Sequence, residues 1–165
     1  MVRGLRDMTG DSFGWGSLDG LPGDWYLLRE IEHNIKLYRR YHHPFSLVLL
    51  SFENLVRIKD TSGDEAQESA LEYLMTAIET HVREVDLVFR WRGREFVVIM
   101  QETEKNAAQA AAKRLVDAVS KTSLKVGENF VTLEAGFGVA SCPEDGFKAK
   151  ELLELADGVR QPGSD

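Results

Sequence analysis

Four arginines stand close together between residues 83 and 96: Arg83, Arg90, Arg92 and Arg94. The chain around them carries a formal net charge of -7. A basic island in an acidic protein is either a solvated patch or a site for an anionic ligand. A guanidinium can donate two parallel hydrogen bonds to a planar acceptor, so the second reading has specific chemistry behind it. Glu53 is the other chemical candidate. It follows the apolar run 45–52, and a carboxylate just beyond a buried strand lies either at a cleft or at the start of a helix. His42 and His43 precede Pro44 and read as an exposed loop. No Cys and His spacing suited to a metal occurs.

These groups need elements to hold them. Leu28, Ile31, Ile35 and Tyr38 recur at helical spacing and predict a helix over 24–41. Asp24 is its expected N-cap, Arg39 and Arg40 suit its last turn, and Pro44 stops it. The continuous apolar run 45–52 predicts a central strand buried on both faces. A short helix is expected over 53–60, then a longer one over 64–84 with Leu71, Leu74, Met75, Ile78 and Val82 inward. The runs 87–91 and 96–100 flank Gly93 as a β-hairpin. Thr103 is the expected cap of a helix over 104–120 with Ala108, Ala111, Leu115 and Val119 on one face. A strand over 130–140, a turn at 143–146 and a helix over 148–158 complete the order, with residues 161–163 ending it. This order predicts an α/β (α+β) domain with a mostly antiparallel central sheet flanked by helices.

At 165 residues and 43% hydrophobic content, the chain suits one globular domain with a real core. Residues 1–23 read as an N-terminal linker or tail, 24–160 as the domain and 161–165 as a C-terminal tail. A pI near 5.2 argues against broad binding to nucleic acid or an anionic membrane. No apolar run approaches the length of a spanning helix, so no membrane insertion is expected. Cys142 is the only cysteine, which suits a reducing cytoplasm.

Several stretches, in this order, resemble the GGDEF domain, the diguanylate cyclase fold. Leu18-Asp19-Gly20-Leu21-Pro22 is similar to its opening turn, Leu50-Ser51-Phe52-Glu53 to its first strand end, and Arg57-Ile58-Lys59-Asp60 to the helix that follows. Arg92-Gly93-Arg94-Glu95-Phe96 falls on the signature that names the family. Ala140-Ser141-Cys142-Pro143-Glu144-Asp145-Gly146 and Leu152-Leu153-Glu154-Leu155-Ala156-Asp157 resemble its closing strand, turn and helix. The resemblance implies a nucleotidyl-cyclase-like domain of bacterial signalling.

The departures from the family pattern carry as much meaning. The family's enzymes join two GTP molecules into cyclic di-GMP with metal held by carboxylates. Here Ser51 stands at the first metal position and Arg94 at the signature's first acidic position, while Glu53 and Glu95 keep a carboxylate. Arg92 replaces a glycine near the phosphates, Lys59 replaces the guanine-reading asparagine, and Gln67-Glu68 replaces a Gly-Asp pair. A hydroxyl ligates metal weakly and a guanidinium repels it, so no catalytic residues and no cofactor are expected.

A second family site is intact by type. Arg83-Glu84-Val85-Asp86 matches the R-x-x-D product site, and Arg114 matches a further arginine on the following helix. An arginine can donate twice to guanine O6 and N7 or stack on the base, and a carboxylate can accept from guanine N1–H and N2–H₂. The bland alternative is an ion pair at a helix end worth roughly 0.2–0.5 kcal/mol. The resemblance therefore implies an inactive cytoplasmic receptor for cyclic di-GMP. It would act through a partner signalling protein or fused domain, with ligand-linked homodimerisation as one route. A diverged but active cyclase and a nucleotide-independent scaffold are the alternatives. Lys59 and Glu68 mark a vestigial nucleotide position, and Arg92 with Arg94 form either a new surface or drift.

Overall fold

The computed structural model describes residues 22–159 and 161–162; the opening turn quoted above lies mostly outside them. Helix α1 spans Pro22–Tyr41. Proline suits the first position of a helix, where its missing N–H has no partner to lose. Asp24 thus lies inside the helix, past its first residue. Strand β1, Phe45–Phe52, follows and is buried along its whole length. Helices α2 (Asn54–Ser62) and α3 (Asp64–His81) come next, separated by Gly63 at φ 91°. The hairpin of β2 (Leu87–Trp91) and β3 (Glu95–Gln101) leads to α4, Lys105–Ser120. Short strands β4 (Ser123–Val126) and β5 (Asn129–Thr132) precede β6 (Ala135–Cys142), α5 (Ala149–Gly158) and the two-residue β7 (Gln161–Pro162).

The main sheet runs β2-β3-β1-β6-β7, and every pairing in it is antiparallel. β1 lies at its centre because both its faces are apolar. Val48, Leu50 and Phe52 face a core built with α2, α3 and α4 through Leu55, Ile58, Leu71, Leu74, Ile78, Leu115 and Val119. Leu47 and Leu49 face the other core, closed by Leu27, Ile31 and Ile35 of α1 and by Leu152 and Ala156 of α5. The alternation along one strand thus builds a three-layer α/β/α domain, helices on both faces. No helix among the described residues is long and apolar enough to cross a membrane.

Four features differ from expectation. The helix over 64–84 stops at His81, and Val82 is extended with φ -109° and ψ 164°. The reason is the side chain of Asp86, which accepts the backbone N–H of Arg83 at 3.1 Å and folds 83–86 into a turn. Thr103 does not cap α4. Glu104 holds the cap position, and the Thr103 hydroxyl donates to the Gln101 carbonyl at 2.7 Å. The strand over 130–140 is interrupted. Residues 129–132 fold back on 123–126 around Gly127, at φ 62°, as a separate two-stranded sheet. Gln161 and Pro162 add a short edge to β6 instead of only ending the helix.

Candidate ligand site

The Arg83–Asp86 turn leaves α3 and enters β2. Asp86 is 3% exposed, and four donors converge on its carboxylate. Oδ1 accepts from Arg83 Nη2 at 3.0 Å and from the Gln101 backbone at 3.1 Å. Oδ2 accepts from the Arg83 backbone at 3.1 Å and from Arg83 Nε at 3.2 Å. Arg83 Nη2 also donates to Thr103 Oγ1 at 2.7 Å and to the Gln101 carbonyl. The guanidinium is therefore fixed along its Nε–Nη2 edge, while the side chain as a whole stays 55% exposed. This is more than the exposed ion pair of a helix end. Asp86 is buried, saturated, and joins the turn to β3.

Arg83, Asp86 and Arg114 line one cavity of about 810 Å³. That lies within the roughly 300–1,000 Å³ range of small-molecule sites. Arg114 reaches it from α4, exposed and with no ion pair among the described residues. Met100, Ala107, Ala111 and Leu115 give the cavity an apolar wall. His81, Glu102 and Glu104 also line it, and none of these three was singled out by residue pattern. The polar run after β3 was a weak hint. Glu102 sits at φ 46°, a left-handed angle that turns the chain sharply between β3 and α4. With Arg83 and Arg114 in one lining with Glu102 and Glu104, the cavity suits a ligand that offers both acceptors and donors.

A chain of buried hydroxyls leads away from the cavity. The Thr103 carbonyl accepts from Ser46 Oγ at 2.8 Å, and Ser46 shares a 2.6 Å hydrogen bond with Ser141. The Ser141 N–H donates to Asp145, which Lys105 holds at 2.9 Å. The far end of this chain lies beside the turn into α5.

The other candidate residues collect at the opposite end of β2. Ser51 on β1 pairs with Glu95 on β3 and with Gly136 on β6. Ser51 is buried, Glu53 and Arg94 are exposed, and Glu95 is half-buried. Arg92 occupies φ 51° and Gly93 φ 77°, so the hairpin turn forces an arginine into a glycine-like conformation. Arg92 lies 5.1 Å from the Trp91 ring and 3.3 Å from Asp157. A divalent ion paired with a triphosphate needs several hard anionic oxygens. One hydroxyl and scattered glutamates beside a guanidinium do not fit it.

Lys59 and Glu68, expected at a nucleotide position, are engaged within the chain. Lys59 Nζ lies 3.6 Å from Asp64. Glu68 takes both terminal nitrogens of Arg90, at 2.5 and 3.3 Å. Gln67 Nε2 donates to the Leu55 carbonyl at 2.9 Å and ties α3 to α2. Arg90 Nε is buried without a hydrogen-bond partner among the described residues. Arg90 and Trp91 are parts of the strand, as their apolar neighbours suggest.

Residues 17–161 match the family described as "Diguanylate cyclase, GGDEF domain". Diguanylate cyclase DosC of Escherichia coli is 32% identical over 132 residues, covering 78% of this chain and 27% of that protein. Response regulator PleD of Caulobacter vibrioides is 29% identical over 147 residues, 87% of this chain and 32% of its own length. The chain thus spans about a third or less of these curated relatives. Among solved structures, the GGDEF domain of YfiN (TpbB) from Pseudomonas aeruginosa superposes with a TM-score of 0.76 at 22% identity, covering 86% of this chain and 83% of that one. Diguanylate cyclase SiaD of Pseudomonas aeruginosa, solved with its activator SiaC, gives 0.77 at 25% identity, covering 94% and 60%.

Proposed function

The chain belongs to the GGDEF-domain family, and from that membership we propose that it is a catalytically inactive member serving as a cyclic di-GMP receptor in bacterial second-messenger signalling. The observation that carries this reading is the cavity of about 810 Å³ lined both by Arg83, locked by Asp86, and by Arg114. A preset guanidinium loses little freedom on binding, which favours affinity. Arg83 offers its plane to a base, and Arg114 offers charge to a phosphodiester. Asp86 is a positioning residue, since its oxygens are already occupied. Acceptors for guanine N1–H and N2–H₂ come instead from Glu102 and Glu104 of the cavity lining.

Inactivity rests on the metal end. Ser51 and Arg94 remove two anionic donors from the place where negative charge must be neutralised. Lys59 and Glu68 are held by Asp64 and Arg90, so a second nucleotide would have to break those pairs. The domain works in the cytoplasm, without a cofactor or bound metal. Its output passes to a partner protein or fused domain, with a ligand-linked homodimer as one form of that output.

The test is a pair of incubations on the whole chain. Saturating cyclic di-GMP, at a hundredfold excess over Kd, should raise unfolding free energy by about 2.7 kcal/mol. GTP with Mg²⁺ should yield no cyclic di-GMP. Product formation that Arg94→Ala abolishes would make the chain an enzyme, and an unmoved melting temperature with cyclic di-GMP would remove the receptor reading.

A further inference from the structure

A second cavity, of about 500 Å³, lies between α1 and the start of α5. Leu28 and Ile35 line its apolar part together with Phe147. Four cations surround them: Lys36 and Arg39 from α1, and Lys148 and Lys150 from the entry to α5. Glu32 is the carboxylate in the same lining. In a chain of net charge -7 this is a local reversal of sign. Among the described residues, Lys36, Arg39 and Lys150 form no ion pair. Lys148 pairs with Glu151 at 3.7 Å, but both side chains are well exposed, and such a pair gives way easily to a competing carboxylate. Phe147 stays 40% exposed although Arg39 lies 5.6 Å and Tyr38 5.8 Å from its ring.

An apolar floor ringed by cations selects among occupants. A bare phosphate would satisfy the cations and leave Leu28, Ile35 and Phe147 uncovered. A nucleic acid or anionic bilayer extends beyond the ring of cations and would meet the repulsion of the acidic remainder of the chain. A short segment seated within the ring does not reach that remainder. An acidic peptide with an apolar side chain between its carboxylates covers both components, and charge complementarity steers it to this face. We propose that the groove between α1 and α5 is a docking surface for an acidic, leucine-bearing segment of a partner protein.

Fluorescence polarisation of a labelled peptide alternating glutamate and leucine tests this on the whole chain. The expected result is saturable binding that weakens as NaCl is raised. The double variant Lys36→Glu/Lys150→Glu should weaken it at least about tenfold, and Phe147→Ala should weaken it several-fold. All three positions are exposed, so unchanged thermal unfolding of the variants is expected alongside. No saturable binding to the wild type would overturn the proposal. So would equal affinity for a peptide alternating glutamine and leucine, or for the double variant. Displacement by inorganic phosphate at the peptide's own concentration would reduce the groove to a plain anion site and overturn it too.

Discussion

Asp86 grips Arg83 with both carboxylate oxygens, at 3.0 Å to Nη2 and 3.2 Å to Nε, and at 3.1 Å to the backbone N–H of the same residue. The pair shapes the chain before it shapes a ligand site. It ends α3, starts β2, and through the Gln101 N–H fastens the end of β3.

Asp86→Ala should therefore lower stability by about 2–3 kcal/mol, because two partly buried backbone N–H groups lose their acceptor. Arg83→Ala should cost less, about 1–2 kcal/mol, because the buried Asp86 carboxylate loses its cation but keeps its two backbone donors. Urea denaturation of the two variants checks the difference. Equal costs would mean that Asp86 serves only the ion pair.

Arg114→Ala separates binding from folding. The side chain is exposed and unpaired among the described residues, so stability should stay within about 0.5 kcal/mol of wild type. Cyclic di-GMP affinity should fall at least about tenfold, the loss of one charge-assisted contact. A thermal-shift titration of wild type and variant measures both effects together.

Much of the fold could be read from apolar period. Leu47 to Leu50 alternate between two helical layers, which demands a central strand, and Leu71, Leu74 and Ile78 keep one face of α3 inward. What period cannot show is a side chain capturing backbone. Asp86 ended α3 early, and Thr103 left the expected cap to receive Arg83. The β4–β5 hairpin was missed because its strands are four residues each, too short for alternation to stand out, although Gly127 marks the turn. At the site, resemblance singled out Arg83, Asp86 and Arg114, and the fold brings the three to one cavity. That Asp86 is consumed internally was not legible, because saturation depends on Gln101, far along the chain.

Gly138 permits a close approach between β6 and α5. A Cβ there would meet the Ala156 carbonyl oxygen at 1.8 Å. Because the obstacle is backbone, nothing rotates away. Gly138→Ala should destabilise by about 3 kcal/mol or more, at the upper end of overpacking costs. A melting curve close to wild type would mean that α5 shifts freely on the sheet.

Cys142 gives a pH-dependent prediction. It is 1% exposed, and burial pushes its thiol above the usual value of 9.0, with Arg39 pulling weakly the other way. In the unfolded chain the thiol ionises at its ordinary pKa while the folded thiol stays neutral. The stabilising contribution is therefore complete below pH 9.0 and shrinks as pH rises beyond it. A Cys142→Ser variant should lose less stability than wild type between pH 8 and 10 in urea titrations. The native thiol should also react with a disulfide reagent far more slowly than the unfolded one.

Calorimetric titration of cyclic di-GMP into the wild-type chain and into Arg83→Ala decides whether the Arg83 cavity binds this ligand. Micromolar or tighter binding to wild type is expected, about -8 kcal/mol, and none to the variant. Absence of heat with wild type at high ligand, or equal binding by Arg83→Ala, would contradict the proposed site.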